Sequence, residues 1–248
     1  MIFTKIIRKI NYFIQDQKDK KRLMKLSSEE RKLISEIKSK NLTYLTLSKL
    51  AAIVHTLNSI EQKGYRGLFI EAGCALGGSS ILISKLKNTH SKFKIYDVFE
   101  MIPPPSDNDT QDVHDRFKEI KEGKSKGIGG ELYYGYQDHL LETVKKNLAD
   151  FDIHMDRENI DLIKGLVQNT LHINEPVVFA HIDVDWYDPV TSCLEQIWPN
   201  LIPGGSILLD DYNDWGGCKK ATDQYFKGLE DQFLMDDRFG SLKVTRIK

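Results

Sequence analysis

The spacing of apolar residues along the chain changes character near residue 67. Before that point it is helical. Ile2, Phe3, Ile6, Ile7, Ile10, Phe13 and Ile14 recur at helical intervals with Lys5, Arg8 and Lys9 between them, which predicts an amphipathic helix docked on the domain or on a second subunit. A helix lying on a membrane surface is the alternative that this pattern leaves open. Residues 15–40 are dense in Lys, Asp and Glu, and Ser27 followed by Glu30 has capping-box spacing. That predicts a second helix to about Lys38. A third covers Leu45 to Gln62, with Leu47, Leu50, Ile53, Val54 and Leu57 on its buried face.

Beyond residue 67, short apolar runs alternate with helical patterns. The runs are Gly67–Ile70, Phe93–Tyr96, Ile160–Ile163, Val177–Ile182 and Ser206–Leu209. Helical patterns include Ser79 to Lys87, Gln137 to Leu148 and Pro189 to Trp198. Such alternation predicts an α/β fold, a mostly parallel sheet with helices on both faces. Each run gives way at its carboxyl side to glycine or an acid: Glu71, Asp97, Gly165, Asp183, and Asp210 with Asp211. Ligands of open α/β sheets bind outside the carboxyl ends of the strands, so one site built from several loops is expected. Pro103 to Asp112 and Glu122 to Gly135 read as loops; the second, with Gly123, Gly127, Gly129 and Gly130 near Tyr133, Tyr134 and Tyr136, reads equally as a lid or as ordinary surface.

Composition narrows the function classes. The chain has 248 residues, enough for one α/β domain with a helical extension. A formal net charge of −1 gives no basic surface for nucleic acid. Cys74, Cys193 and Cys218 are odd in number and widely spaced, against a disulfide framework or a zinc ribbon and in keeping with a reducing cytoplasm. No apolar run approaches the roughly 18 residues that span a bilayer. The N-terminal segment lacks the h-region and cleavage site of a signal peptide.

Glu71-Ala72-Gly73-Cys74-Ala75-Leu76-Gly77-Gly78-Ser79-Ser80 lies between a strand and a helix. Gly73 suits a tight turn, and the later glycines admit a ligand close to the backbone. Neither the dinucleotide nor the P-loop fingerprint is met. Asp97 follows Gly73 by 24 residues at the end of the next strand, where a carboxylate can accept ribose hydroxyls. A nucleoside cofactor is expected. A carboxylate at Glu71 repels a pyrophosphate and suits a sulfonium or ammonium group, which favours S-adenosylmethionine over NAD.

Two further motifs, His181-Ile182-Asp183-Val184-Asp185-Trp186-Tyr187 and Leu208-Leu209-Asp210-Asp211-Tyr212, put paired acids at the ends of buried strands. Four converging carboxylates repel one another, and a hard divalent cation such as Mg²⁺ resolves that repulsion. Within the Asp183/Asp185 pair one acid can bind metal while the other takes a proton. The competing reading makes these acids helix caps, which is favoured for Asp188 before Pro189. His181 reads as a hydrogen-bonded core histidine.

At these residues the chain resembles the TylF/macrocin O-methyltransferase family, which includes enzymes that methylate sugar hydroxyls on macrolide and aminocoumarin antibiotics. The resemblance runs from about Thr43 to about Phe226. It is carried by Glu71 to Ser80, Asp97-Val98-Phe99-Glu100, Gly165 to Leu171, His181 to Tyr187, Asp210-Asp211-Tyr212 and Lys219-Lys220-Ala221. It implies a Rossmann-like class I methyltransferase fold over residues 43–248 after a helical extension over 1–42. The sheet would have seven strands, with an antiparallel final hairpin that includes Ser241 to Ile247. It implies an S-adenosylmethionine site at Glu71, Gly73, Ser79, Asp97 and Asp183, metal ligands Asp183, Asp210 and Asp211, and Asp185 as general base. The implied acceptor is a sugar or glycoside hydroxyl, in a cytoplasmic enzyme that is a candidate homo-oligomer. Cys74-Ala75-Leu76, Met101, Trp186 and Pro189 depart from the family pattern and point away from a macrolide sugar. A catechol-type methyltransferase, an NAD-dependent oxidoreductase and a non-catalytic binding protein are the rival readings.

Overall fold

The computed structural model of the chain describes residues 22–248; the amphipathic segment expected over residues 2–14 lies outside them. Helix α1 (Ser28–Ser39) starts at the expected capping box, in which the Ser27 side chain and the Glu30 side chain each accept the other's backbone N–H. Helix α2 (Leu47–Gln62) starts two residues later than expected because Thr46 caps it. The alternating region then follows: β1 (Leu68–Ala72), α3 (Gly78–Leu86), β2 (Phe93–Asp97), α4 (Gln111–Lys121), α5 (Leu140–Ala149) and β3 (Ile160–Lys164). Next come the single-turn α6 (Val167–Thr170), β4 (Val177–Ile182), α7 (Tyr187–Ile197), β5 (Leu201–Leu209), α8 (Gly216–Phe226), β6 (Phe233–Asp236) and β7 (Leu242–Arg246).

Among the described residues seven strands form one sheet in the order β3-β2-β1-β4-β5-β7-β6. The first five are parallel, and β7 pairs antiparallel with both β5 and β6. The fold is therefore the seven-stranded α/β arrangement that the resemblance implies. Alternation along the strands divides the core in two. Phe69, Phe93, Ile95 and Leu208 meet Ile34, Ile37, Leu50, Ile53 and Leu57 of α1 and α2 on one face. Ile70, Ala72, Ile182, Ile207 and Leu209 meet Val190, Leu194, Ile197 and Ala221 of α7 and α8 on the other. Burial of this kind contributes about 25 cal/mol per Å² of apolar surface, the main drive that flattens both helix layers onto the sheet. No helix of the described residues is long and apolar enough to cross a membrane.

Two differences from the pattern reading bear on the site. Strand β5 begins at Leu201, five residues earlier than expected, and carries Pro203-Gly204-Gly205 within it. The pairing with β4 slips there, from Val177↔Leu201 to Phe179↔Ser206, so the strand absorbs turn-type residues as an irregularity. Helix α4 has no counterpart in the expected elements. It follows the proline-rich loop, whose Pro103 carbonyl accepts the Trp186 ring N–H at 2.9 Å.

Candidate active site

The strand order reverses between β1 and β4, where successive connections leave from opposite sides and open a crevice. The register sets Glu71 opposite His181, and Ala72 opposite Ile182, which pairs in turn with Leu209. The residues after these strands therefore emerge side by side. Gly73 shows how closely. Its φ is +82°, and a Cβ there would lie 1.9 Å from the Asp183 carbonyl oxygen. Only glycine fits.

A cavity of about 650 Å³ opens at this edge. Its walls include Gly73, Asp97, Gly165 to Gln168, Asp183, Asp185, Asp210 and Asp211, with Tyr44, Tyr133, Tyr134, Trp186 and Trp215 on other sides. The loop after α4 thus brings Tyr133 and Tyr134 to the cavity, and Tyr136 ties that loop down through its hydroxyl, 2.5 Å from the Ile120 carbonyl.

Asp97 sits beneath the glycine turn. It accepts the N–H groups of Cys74 at 2.7 Å, Ala75 at 3.2 Å and Phe99 at 2.7 Å. Burial still holds its carboxyl above the usual range, against those three bonds. Its carboxylate builds the turn as well as lining the cavity.

Glu71 is placed differently from the expectation. It is fully buried and absent from the cavity wall. One carboxylate oxygen accepts the Ser80 hydroxyl, and the other lies 3.0 Å from His181 Nδ1. The cause is the pleat: Glu71 points to the α1–α2 face, while its neighbours Ala72 and Ile70 point to the other. Burial opposes charge on His181, but the Glu71 carboxylate outweighs it and raises the histidine's pKa. Ser79, in the first turn of α3, is likewise buried and behind the wall.

The acids converge. Asp183, Asp185 and Asp211 each offer a carboxylate oxygen within 4.8 Å of the others, and Asp210, Asp211 and Asp214 do the same. Burial and then the neighbouring Asp210 charge push Asp183 up to about 8 and Asp185 up to about 6. Asp211 moves in the same direction, through burial and then Asp185. None of these acids caps a helix with its side chain. Asp188 lies inside the first turn of α7 rather than at its cap. The capping expected of it is done by Asp109, which accepts the Tyr187 N–H at 2.8 Å, and Asp112 accepts the Gly216 N–H at the start of α8.

Lys49 on α2 also reaches the cluster, 2.7 Å from an Asp210 carboxylate oxygen and 2.6 Å from one of Asp214. No local sequence signal marks it, because its partners lie 161 and 165 residues away. Arg116 of α4 lines the cavity too, over the Tyr133 ring.

Known proteins resemble the chain in sequence and in fold. A rhamnosyl-tetracenomycin C 4'-O-methyltransferase of Streptomyces olivaceus is 25% identical over 190 residues, which is 74% of this chain and 67% of that protein. Demethyldecarbamoylnovobiocin O-methyltransferase of Streptomyces niveus is 24% identical, over 80% of this chain and 73% of its own. Among solved structures, the O-methyltransferase NovP superposes with a TM-score of 0.68 at 18% identity, covering 84% of this chain and 83% of that one. The calicheamicin methyltransferase CalS11 gives 0.56 at 16% identity, over 89% and 93%. The family model of macrocin O-methyltransferase (TylF) matches residues 3–237, so the chain belongs to that family of O-methyltransferases.

Proposed function

We propose that the chain transfers a methyl group from S-adenosylmethionine to a hydroxyl of a sugar or a glycosylated small molecule, with a divalent cation such as Mg²⁺ at the acidic cluster. The observation that carries this reading is the meeting of Asp183, Asp185 and Asp211 within 4.8 Å, in the cavity that also holds Gly73 and Asp97. Relatives named for rhamnosyl and novobiocin substrates support the acceptor class. A solved methyltransferase of Podospora anserina carries bound SAH, and its TM-score of 0.53 at 13% identity supports the same fold around the cofactor.

The donor set suits a hard cation. It is all oxygen, and burial first, then repulsion among the neighbouring carboxylates, raises their pKa values, a cost that a bound cation would offset. The ligands that the resemblance implies, Asp183, Asp210 and Asp211, would hold the ion; Asp183 and Asp211 belong to the close trio with Asp185, whereas Asp210 meets Asp211 only in the second trio, with Asp214. Asp210 already accepts two protein hydrogen bonds at its carboxylate, from Lys49 and Ser241, and each carboxylate oxygen keeps a second lone-pair site. When bound, the ion supplies positive charge that lowers the pKa of the acceptor hydroxyl and fixes its direction.

The chain's own residues do the rest. Gly73 and the Gly165–Gln168 turn leave space for the nucleoside, and Asp97 stands where ribose hydroxyls are expected. The acceptor oxygen forms its bond to the methyl carbon as the bond from carbon to sulfur breaks. Its proton leaves to the Asp185 carboxylate. The aromatic side chains of Tyr44, Tyr133, Tyr134 and Trp186 wall the acceptor side and exclude water.

The test is a mass-spectrometric screen of glycosides and polysaccharide precursors for a gain of one CH₂, with and without EDTA. Methylation of a sugar hydroxyl that stops with EDTA and returns with Mg²⁺ is expected. Methylation undiminished by the chelator overturns the metal role.

A further inference from the structure

The acids beyond β4 and β5 are not one equivalent set. Asp210, Asp211 and Asp214 form a second trio with oxygens within 4.8 Å, so on charge alone the cleft has room for two cations. One place is filled from within the chain. Lys49 stands in the first turn of α2, its backbone N–H held by the Thr46 cap at 3.3 Å. An ammonium has three N–H donors, and each finds an acceptor: Asp210 Oδ2 at 2.7 Å, Asp214 Oδ2 at 2.6 Å and the Asp210 main-chain carbonyl at 3.0 Å. Only 11% of the side chain is exposed. Asp210 Oδ1 receives the Ser241 hydroxyl at 2.9 Å. The Asp210 carboxylate is thus held at both oxygens, whereas Asp183, Asp185 and Asp211 take no part in the pairing with Lys49.

We propose that Lys49 is a resident cation of the Asp210–Asp211–Asp214 group, a positioning residue that fixes Asp210 and limits the cleft to a single divalent ion. The inference rests on the metal reading of the proposed function. Its physical basis is charge and space. An ammonium at 2.6–2.7 Å from two carboxylates occupies the point a second ion would need, and it repels any ion approaching from that side. The attachment to α2 also ties the N-terminal helices to the strand ends, so the orientation of Asp210 depends on that helix.

Binding of Mn²⁺ to the full chain tests this by electron paramagnetic resonance, which counts free ion by its six-line signal. The wild-type protein is expected to take up a single ion. Lys49→Met and Lys49→Gln are expected to take up a second, and Lys49→Arg to restore single occupancy. The second ion is expected to disappear again in Lys49→Gln combined with Asp214→Asn. Circular dichroism checks folding, and Lys49→Gln, which keeps a hydrogen-bonding tip, serves if the Met variant does not fold. A single ion in both the Met and Gln variants overturns the resident-cation role and leaves the metal reading standing. No ion in the wild-type protein overturns the metal reading, and this inference with it.

Discussion

Asp185 donates its backbone N–H to the Asp211 carboxylate at 3.3 Å, and it does so from a left-handed backbone, with φ of 55°. That conformation is uncommon for residues with a side chain, and Asp and Asn tolerate it best. It turns the chain sharply after Asp183, so that two acids separated by one residue both face the cleft instead of following a strand. The arrangement ties the two acidic motifs together at one bond.

Asp185→Asn is therefore the informative substitution. Asparagine accepts the same backbone geometry and keeps the size of the side chain, but it cannot take a proton. Turnover is expected to fall about 10²- to 10⁴-fold, the usual worth of a general base, with cofactor affinity by calorimetry unchanged. Full activity in this variant would remove Asp185 from the base role.

The parallel strands and the acids at their ends are readable from the chain because burial on both faces writes continuous apolar runs, and Asp97, Asp183, Asp210 and Asp211 interrupt them abruptly. Helix α4 is not readable in that way. Of its 11 residues only Val113, Phe117 and Ile120 are apolar, so its pattern dissolves among charges, yet it brings Arg116 to the cavity. Glu71 is legible as an acid beside the glycine turn, but the face it points to is set by the pleat of β1. Lys49 meets its partners only through the fold, which no local spacing records.

Gly73→Ala and Gly123→Ala separate backbone strain from steric exclusion. Both glycines have positive φ, +82° and +71°, but a Cβ at Gly123 meets nothing within 4 Å while one at Gly73 meets the Asp183 carbonyl. The Gly123 variant is expected to lose about 1–2 kcal/mol at most, the cost of a left-handed alanine. The Gly73 variant must also move β1 away from the Asp183 turn, so it should lose more than that together with cofactor binding. Denaturant midpoints and a cofactor titration compare the two; equal losses would mean that the close approach of these strand ends is unimportant.

Glu71→Gln tests the buried position of that acid. The glutamine can still reach the Ser80 hydroxyl and the His181 ring but no longer offers a charge to the histidine. Stability is expected to drop by about 1–3 kcal/mol, the range for a weakened buried polar pair, while cofactor affinity changes only a few-fold. A selective collapse of cofactor affinity at unchanged stability would return Glu71 to the binding site.

The acidic cluster makes the effect of Mg²⁺ on stability depend on pH. Burial and the neighbouring Asp210 charge raise Asp183 from 3.8 to about 8 and Asp185 from 3.8 to about 6 in the metal-free fold. The folded chain therefore keeps protons that the unfolded chain has already released. A state that binds more protons is favoured at low pH, so the contribution of these two groups is fully present below pH 3.8 and is lost as the pH rises through about 6 and then 8. A divalent ion competes with the same protons and replaces the stability they provided. The rise in Tm on adding Mg²⁺ is accordingly expected to be small near the bottom of this window and to grow steadily towards its top. Scanning calorimetry at several pH values with and without the ion measures it. An increment that stays constant across the window would show that the ion binds somewhere other than these carboxylates.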